Sequence, residues 1–466
     1  MTSKEPWIEK IVKEAKKIYG PVEVKFINGH YYLYKVSSVY DKTKGRARKI
    51  SGDYIGAITP NGLEETRRRP RSVFEYANGK LLYSLLEEIL PNLKKYFPDS
   101  WKELVALAIV RTIRNTPIKY AKDAWEKLYV SEEIDASMSP NTIIDRLRSV
   151  GSDWYSVSEF YRALMVKGEY YLFDLSSIFS RSVNINIAEK GYNKEALYVN
   201  QINFSMIYSR GKRIPVMLKA IHGSIRDVKE LKEILHEFPM EDCILIMDRG
   251  FYSIEELNKM AEEGVYFIQP MRRNSILIDY GAKYEGSFVY RERGIRYGRK
   301  KVEGYTEYIY EDALLKGEEL SNIIKKGIEG KENEIEENRL GKITIITNLD
   351  LKGEEIYNMY KMREDIEQAF DAMKNELEND KSYLQDDDAV RGYFFVSYIS
   401  LYLYYAVQNR IREVGMNSKI SVNELLLYLS KVYAIKYGDG RIMYGEIPKK
   451  VEDLETKLKL NVLPKN

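Results

Sequence analysis

The sequence predicts a globular protein of the mixed α/β class. Of its 466 residues, 44% are hydrophobic and 31% are charged, which is the composition of a chain that folds around a sizeable core. From Tyr170 onward, short apolar runs of strand length alternate with helical stretches, and this alternation is typical of a sheet covered by helices. At about 150 residues per domain, the length corresponds to about three structural units.

The first 160 residues contain two regions with different patterns. Residues 24–59 alternate like strands, and Asn28-Gly29 separates two such runs, which predicts a hairpin with a type I′ turn. The run RRRPR from Arg67 to Arg71 is typical of an exposed linker, and the apolar spacing from Val73 to Ser149 is helical. We therefore expect a basic β-rich region over residues 1–72 and a helical region over residues 73–160.

The next region predicts a mixed sheet. Apolar runs at 170–175, 202–209 and 214–221 indicate three consecutive strands. A helix at 227–238, the run CILIMD, a helix opened by Ser253 and Glu256, and the run VYFIQPM follow. The order β-β-β-α-β-α-β fits three meandering strands followed by right-handed parallel crossovers.

The remainder of the chain completes this prediction. Residues 272–353 contain alternating polar strands and a Lys/Glu-rich stretch, and are expected to form a β-strand insertion domain between core residues 161–271 and 354–415. The apolar run 393–407 is shorter than the roughly 18 residues of a membrane helix and predicts a buried core helix. Residues 416–466 are expected to form a helical tail.

The amino-acid composition limits the kinds of catalytic or metal site that the chain can contain. The chain has one cysteine and three histidines, which argues against a disulfide framework and against a Cys- or His-rich metal centre, so catalysis would depend on carboxylates. The net charge is only +3, but the first 100 residues hold 19 Lys and Arg against 12 Asp and Glu. A basic N-terminal region indicates a polyanionic partner.

Two aspartates occupy positions suited to chemistry. Asp174 lies within the apolar run YYLFDL, where an ionised carboxylate is costly unless it is paired or binds a metal; the alternative is an ordinary strand-end aspartate. Asp248 ends the run CILIMD, at the edge where open α/β sheets place functional groups. Its alternative role is to cap the following helix, a role that Ser253 already fills.

A predicted helix from Tyr360 to Lys374 could add a third carboxylate. At about 100° per residue, Tyr360, Arg363, Glu367 and Lys374 share a stripe roughly 60° wide beside the buried face. Periodicity alone does not distinguish Glu367 from Glu364 or Asp371, and an ordinary solvated helix face has the same pattern.

Taken together, these segments resemble a known family. One aspartate within the first strand, another that ends the fourth strand and a later helical glutamate are similar to the D-D-E triad of ribonuclease-H-like nucleotidyltransferases. Residues 360–374 fit Y-x2-R-x3-E-x6-K at all four positions, and Asp248 opens D-R-G-F; both resemble prokaryotic insertion-sequence DDE transposases. The resemblance covers about residues 165–410 and implies a ribonuclease-H-like sheet in the order β-β-β-α-β-α-β-α, with a β-strand insertion.

The resemblance also implies an activity. Asp174, Asp248 and Glu367 would hold two Mg²⁺ ions, or Mn²⁺ in their place. The enzyme would recognise the ends of its element mainly through residues before 160, with 73–160 as the helical DNA-end-binding region. It would cleave those ends and join the 3′-hydroxyls to target DNA. Tyr360, Arg363 and Lys374 would contact DNA near the scissile bond. The expected partner is double-stranded DNA, bound by a homodimer in the active complex, in the prokaryotic cytoplasm at the nucleoid and without a membrane. Alternatives are a nuclease of the same fold without strand transfer and a catalytically silent DNA-binding relic.

The predicted insertion has its own DNA-binding pattern. Residues 288–301 hold six basic side chains and one acidic side chain, with Tyr290 and Tyr297 among them, as phosphate contact and base stacking require. Some relatives stack a flipped base on a tryptophan here, and this insertion has none. Either Tyr290 or Tyr297 would provide the ring, or the route of donor-end cleavage differs. A solvated hairpin is the alternative. The predicted DNA contacts outside the signature are Arg249, Arg291, Arg293, Arg299 and Lys300.

Overall fold

The computed structural model describes most of the chain, in two compact units. The described residues are 6–41, 45–65, 70–114, 116–180, 184–191, 199–225, 227–238, 240–249, 253–281, 283–328, 337–377, 384 and 386–464. The first unit combines residues 1–80, 126–130 and 426–466, and the second combines residues 81–125 and 131–425. The boundaries expected from the sequence for five regions stay a prediction.

The chain alternates helices and strands. The helices are α1 Pro6–Tyr19, α2 Ala77–Leu85, α3 Leu90–Tyr96, α4 Trp101–Ile113, α5 Ala121–Trp125, α6 Pro140–Ser152, α7 Trp154–Arg162, α8 Asp227–Glu237, α9 Ile254–Glu262, α10 Ala313–Ile328, α11 Gly353–Lys361, α12 Glu364–Leu377, α13 Asp387–Glu413, α14 Val422–Leu429 and α15 Lys449–Leu458. The strands are β1 Val22–Ile27, β2 His30–Asp41, β3 Arg46–Thr59, β4 Gly62–Glu65, β5 Pro70–Glu75, β6 Tyr170–Phe179, β7 Glu189–Lys190, β8 Asn200–Ser209, β9 Ile214–His222, β10 Ile244–Ile246, β11 Tyr266–Pro270, β12 Gly286–Tyr290, β13 Arg293–Val302, β14 Tyr305–Asp312, β15 Lys342–Thr347, β16 Tyr433–Tyr437 and β17 Ile442–Tyr444.

The first unit contains an antiparallel sheet in the order β1-β2-β3-β4. Asn28 and Gly29 join β1 to β2 with φ of 49° and 82°, so the predicted hairpin is confirmed. One face of the sheet is covered by α1, whose Ile8 packs in a small core with Leu33 and Ile58. The sequence analysis did not predict α1.

The last residues add a second, smaller sheet to the same unit. Strands β16 and β17 form a hairpin, and β16 pairs antiparallel with β5, placing Tyr433 opposite Glu75. The expected helical tail over residues 416–466 is therefore wrong in part, because this hairpin lies between α14 and α15. In the expected linker, Pro70 begins β5, whereas Arg67 to Arg69 lie outside the described residues.

The second unit is built on a large mixed sheet. Strands β6, β8 and β9 form an antiparallel meander, and β10 and β11 then join β6 in parallel through the crossovers that contain α8 and α9. The order across this part is β9-β8-β6-β10-β11. The predicted mixed α/β class with a large mixed sheet is confirmed.

The insertion continues this sheet. Strand β15 pairs antiparallel with β11, and β14, β13 and β12 follow outward in antiparallel order. Part of the Lys/Glu-rich stretch forms α10. The chain then returns to the centre of the unit through α11 and α12.

Helix α13 forms the core against which the N-terminal helices pack. It is buried from Tyr393 to Leu403, so the predicted core helix is confirmed, and it packs against α4, α6 and β9. A Cβ atom on Gly392 would lie 2.0 Å from the Leu147 carbonyl oxygen, because α6 and α13 cross backbone to backbone there. In the part of the chain that the structure describes, every helix is too short or too polar to cross a membrane.

Candidate active site at the ends of strands β6 and β10

The sheet brings Asp174 and Asp248 together. Asp174 lies within β6 and is only 4% exposed, and the backbone N–H of Leu175 donates to its Oδ1 at 2.8 Å. The parallel register pairs Leu172 of β6 with Ile246 of β10, so continuing it by two residues places Asp248 beside Asp174. Two carboxylates from neighbouring parallel strands thus meet at one edge of the sheet.

Asp248 is held by its surroundings rather than used as a helix cap. The backbone N–H of Arg249 donates to its Oδ1 at 2.6 Å, and the side-chain amide of Gln269 donates to its carbonyl oxygen at 2.7 Å. Ser253 caps α9 by accepting from the backbone N–H of Glu256. The alternative of Asp248 as a helix cap is therefore wrong.

Arg363 links Asp248 to Glu367. Its Nη1 lies 2.5 Å from Asp248 Oδ1, and its Nη2 donates to Glu367 Oε1. The guanidinium is largely buried, at 14% exposure, whereas Glu367 is about half exposed, at 49%. One cation therefore joins two of the three predicted carboxylates.

Charge at this site is dominated by the acidic groups. Burial lowers the pKa of the Arg363 guanidinium, but the negative charges of Asp248, Asp174 and Glu367, together with Tyr360, outweigh burial and raise that pKa above its ordinary value. Asp174 thus acts on the same cation as the other two carboxylates. The Nε atom of Arg363 is buried with no hydrogen-bond partner among the described residues. Three carboxylates face one guanidinium, so the site carries an excess of negative charge.

The signature does not lie on one helix. Helix α11 ends at Lys361 and α12 begins at Glu364, and between them the N–H of Arg363 bonds to the Tyr360 carbonyl three residues earlier. The predicted continuous helix is therefore wrong, because Tyr360 lies on α11 whereas Glu367 and Lys374 lie on α12. Arg363 nevertheless contacts both Glu367 and the Tyr360 ring, whose centroid is 5.9 Å away, so these three signature residues are neighbours as their spacing predicted. Tyr360 is buried and Lys374 is half-buried.

The alternative carboxylates on α12 have other surroundings. Glu364 pairs with Arg291 of the insertion at 3.0 Å, and Asp371 is exposed. Within α12, Glu367 is the carboxylate that shares Arg363 with Asp248. The structure thus groups Asp174, Asp248 and Glu367 around one cation and separates Glu364 from them.

The donor set has the chemistry of a divalent-cation site, with Arg363 lying between two of its members. Carboxylate oxygens are the preferred ligands of Mg²⁺ and Mn²⁺. Among the described residues, however, no group of three or more His, Cys, Asp or Glu side chains is arranged to hold a metal ion. One oxygen each of Asp248 and Glu367 instead contacts the guanidinium of Arg363.

The predicted DNA contacts of the insertion form ion pairs within the protein. Their carboxylate partners lie on neighbouring strands, loops and helices: Arg291 with Glu364, Arg293 with Asp312 at 2.9 Å, Arg299 with Glu285 at 2.9 Å and Lys300 with Asp279 at 3.3 Å. Arg249 lies half-buried directly after Asp248.

The two tyrosines suggested as stacking surfaces also have neighbours. Tyr290 packs edge-to-face on Tyr357 at 5.4 Å between ring centroids, and Tyr297 packs on Tyr310 at 6.0 Å. A Cβ atom on Gly353 would lie 2.4 Å from the Tyr297 ring, so Tyr297 lies against the start of α11. Both rings are half-buried in this aromatic cluster.

Sequence reasoning missed Gln269. It lies within β11, is fully buried, and donates to the carbonyl oxygens of both Asp248 and Pro270. Its Oε1 is buried without a hydrogen-bond partner in the part of the chain that the structure describes. The available signal was a single amide within the apolar run VYFIQPM, next to the strand that ends at Asp248.

Comparison with known proteins was made by sequence and by structure. Residues 180–403 match the family model described as the transposase DDE domain. This range begins after Asp174 and includes Asp248, Glu367 and the signature residues Tyr360, Arg363 and Lys374. The match supports a transposase of the DDE family, and with it DNA recombination as the field of action.

One solved structure also resembles the chain. It is described as a piggyBac transposase synaptic complex with hairpin DNA, and it shares 12% sequence identity over 78% of this chain and 80% of that chain, with a TM-score of 0.44. At that level of similarity it fixes neither the fold nor a correspondence between residues. Comparison with curated proteins gave no significant match.

Proposed function

We propose that the chain is a prokaryotic insertion-sequence DDE transposase that binds the ends of its element, cleaves them and joins the freed 3′-hydroxyls to target DNA. One observation carries the proposal: Arg363 draws Asp248 and Glu367 together beside the buried Asp174. Asp248, Glu367 and Arg363 lie within the residues that match the transposase DDE domain.

The fold supports this proposal. The succession β6, β8, β9, α8, β10, α9, β11 is the one expected for a ribonuclease-H-like catalytic domain. Strands β6 and β10 pair in parallel, which brings the two aspartates to one edge. The insertion enters after β11 and the chain returns before α11, so that the third carboxylate comes from a helix outside the sheet.

Asp174, Asp248 and Glu367 would hold the divalent cations. Two Mg²⁺ or Mn²⁺ ions bound there would supply activation of a water nucleophile and neutralisation of charge on the attacked and leaving oxygens. The protein's own contribution is to position the ligands: burial in β6 fixes Asp174, and Gln269 holds the backbone of Asp248.

When DNA binds, Arg363 would exchange its two carboxylate partners for a DNA phosphate. Its planar guanidinium binds two carboxylates in the structure, and the same fork can bind a DNA phosphate through two hydrogen bonds. A phosphate in place of the carboxylates would lie next to Asp248. Lys374 on α12 and Tyr360 on α11 would contact the same stretch of DNA backbone.

The test compares carboxylate variants on DNA that flanks the coding region. Asp174→Asn, Asp248→Asn and Glu367→Gln should each abolish Mg²⁺-dependent cleavage while binding of the duplex is retained, because each change removes a proposed metal ligand and not a DNA contact. Glu364→Gln and Asp371→Asn are matched controls on the same helix and should cleave nearly normally. Near-normal cleavage by Glu367→Gln would show that the third ligand is assigned wrongly.

The DNA products of the reaction distinguish a transposase from a nuclease of the same fold and from a silent DNA-binding relic. Joined strands recovered from a target plasmid support a transposase, whereas cleavage without joining indicates a nuclease of the same fold. DNA binding without any metal-dependent cleavage would indicate a silent relic. A homodimer in the active complex and a nucleoid location stay predictions, tested by sizing the DNA-bound complex and by imaging tagged protein in cells.

A further inference from the structure

We propose that the ribbon formed by residues 37–41 and 46–51 of β2 and β3 is a DNA-binding arm that enters a groove of the duplex. This inference rests on the proposed function, because it gives the polyanionic partner of the basic N-terminal region a specific surface. Strand β1 pairs with β2 only up to Lys35, and β4 pairs with β3 only from Gly56. The two strands of the ribbon therefore pair only with each other along this stretch.

The ribbon is exposed on both faces. Every side chain of the ribbon that the structure describes is exposed, including the large apolar residues Val39 at 55%, Tyr40 at 64% and Ile50 at 43%. A two-stranded hairpin is at best marginally stable in water without a surface to pack on. A partner that covers this stretch would explain why it keeps apolar side chains.

The charge of the ribbon identifies the partner. The connecting sequence DKTKGRARK contains five basic residues and one acidic residue. Lys49 pairs with Glu23, whereas Arg46 and Arg48 form no ion pair with any described residue. In contrast, Arg291, Arg293, Arg299 and Lys300 of the insertion each have a carboxylate partner. Arg48, which lies opposite Val39, can bind a phosphate without breaking an ion pair to any side chain that the structure describes.

The register places the relevant side chains on one face. Directly opposed residues share a face, and the opposed pairs Ser37 with Ile50, Val39 with Arg48, and Asp41 with Arg46 alternate with pairs on the other face. One face therefore carries Arg46 and Arg48 beside Val39 and Ile50, together with Ser37 and the acidic Asp41 opposite Arg46. Arginines can bind the phosphates that line a groove while the apolar side chains contact sugars and base edges.

The size of the ribbon is compatible with the major groove of duplex DNA. The five opposed pairs of the ribbon, from Ser37–Ile50 to Asp41–Arg46, span roughly 17 Å at about 3.3 Å per residue. The major groove of B-DNA is about 12 Å wide and admits a two-stranded β-ribbon. A surface that binds single strands would present stacked rings, and Tyr40 is the one ring among the ribbon's described side chains. Duplex DNA is therefore the partner that the ribbon fits.

The first experiment measures binding of the full-length protein to a fluorescein-labelled 30-bp duplex of mixed sequence by anisotropy, from 50 to 300 mM KCl. The double variant Arg46→Ala/Arg48→Ala should bind about tenfold more weakly at 100 mM salt, and its salt dependence should decrease by about two phosphate contacts. The control Lys13→Ala/Lys17→Ala removes the same charge from exposed positions of α1 and should change binding less than twofold. Arg299→Ala/Lys300→Ala should have a smaller effect than the ribbon variant.

The second experiment locates the DNA directly. The chain's single cysteine, Cys243, is buried, so a photo-crosslinker can be attached selectively to Ser37→Cys on the ribbon, with Lys13→Cys as the control on α1. Crosslinks to the duplex from Ser37→Cys and not from Lys13→Cys support the inference. Equal melting temperatures of all variants confirm that the changes act on binding and not on folding.

The outcomes separate this inference from the proposed function. If the wild type cleaves its element ends but the ribbon variants bind duplex normally and form no crosslink, the ribbon inference is wrong and the proposed function stands. If the ribbon variants lose duplex binding but the wild type never cleaves, the ribbon inference stands and the proposed function fails. Preference of the wild type for a single-stranded 30-mer, or a dimer that dissociates when the ribbon is changed, overturns the duplex-binding role.

Discussion

Replacing Arg363 by glutamine should make the candidate site bind divalent cations more tightly while it cleaves DNA more slowly. The guanidinium is bonded to Asp248 and Glu367 and is affected by the charge of Asp174. Without it, the three carboxylates repel one another in the absence of metal. A divalent cation then no longer has to displace a bound guanidinium, but the DNA loses a bidentate phosphate ligand.

The size of the effect follows from the two ion pairs. A hydrogen bond to a charged group contributes about 1.5–3 kcal/mol when it is shielded from water, which applies to the Asp248 pair. The Glu367 pair is about half exposed and contributes below about 1 kcal/mol. We therefore expect Arg363→Gln to lower the free energy of unfolding in EDTA by about 2–3 kcal/mol. Since 1.4 kcal/mol corresponds to a factor of ten, Mg²⁺ should bind about 30- to 140-fold more tightly.

The assay combines calorimetric Mg²⁺ titration with thermal melting in EDTA and in saturating Mg²⁺. The control Arg291→Gln removes a surface pair with Glu364, whose side chains are 67% and 45% exposed, and should leave Mg²⁺ affinity unchanged. Equal Mg²⁺ affinity and equal melting temperatures for Arg363→Gln and the wild type would refute the reasoning, because they would show that the guanidinium does not compete for these carboxylates.

Three further changes test other parts of the structure. Gln269→Leu removes the amide that donates to the Asp248 carbonyl oxygen. In single-turnover assays this variant should cleave at least about tenfold more slowly, with duplex binding unchanged. Gln269→Glu loses the same donor and should be equally slow. Gly392→Ala should lower the free energy of unfolding, measured by denaturant titration, by about 3 kcal/mol, because the new Cβ would meet the Leu147 carbonyl. The control Gly317→Ala on α10 has nothing within 4 Å of its new Cβ and should be neutral or slightly stabilising. Removing residues 1–150 should yield insoluble protein rather than a DNA-binding-defective enzyme, because α4 and α6 pack against the buried helix α13; a soluble, cooperatively melting product would contradict this expectation.

The elements that sequence predicted best are those fixed by local pattern. The hairpin at Asn28-Gly29 depends on two adjacent residues that tolerate positive φ, and both adopt it. The meander of β6, β8 and β9 consists of apolar runs of strand length, and the buried helix α13 consists of an apolar run too long for a strand. In each case the information lies within about a dozen residues.

The features that sequence missed depend on partners far along the chain. The C-terminal hairpin is a strand pair because β16 finds β5, with Tyr433 opposite Glu75, and no local pattern near Tyr433 specifies that partner. The basic residues of the insertion suggested free phosphate ligands, but their carboxylate partners, such as Asp312 and Asp279, became visible only once the strands were placed. The break between α11 and α12 involves neither glycine nor proline at Met362-Arg363, so the sequence carries no signal for it.

The interruption between α11 and α12 lies between two contacts that these helices make with the insertion. Tyr357 of α11 packs on Phe288 and Tyr310 of the insertion, with ring centroids 5.3 and 5.0 Å apart, and Glu364, the first residue of α12, pairs with Arg291 at the tip of the hairpin between β12 and β13. Arg363 lies at the joint between these two contacts and holds Asp248 and Glu367. A displacement of the insertion on binding DNA would therefore act on both helices that flank Arg363. Arg363 therefore connects the two helices that contact the insertion to the carboxylates Asp248 and Glu367.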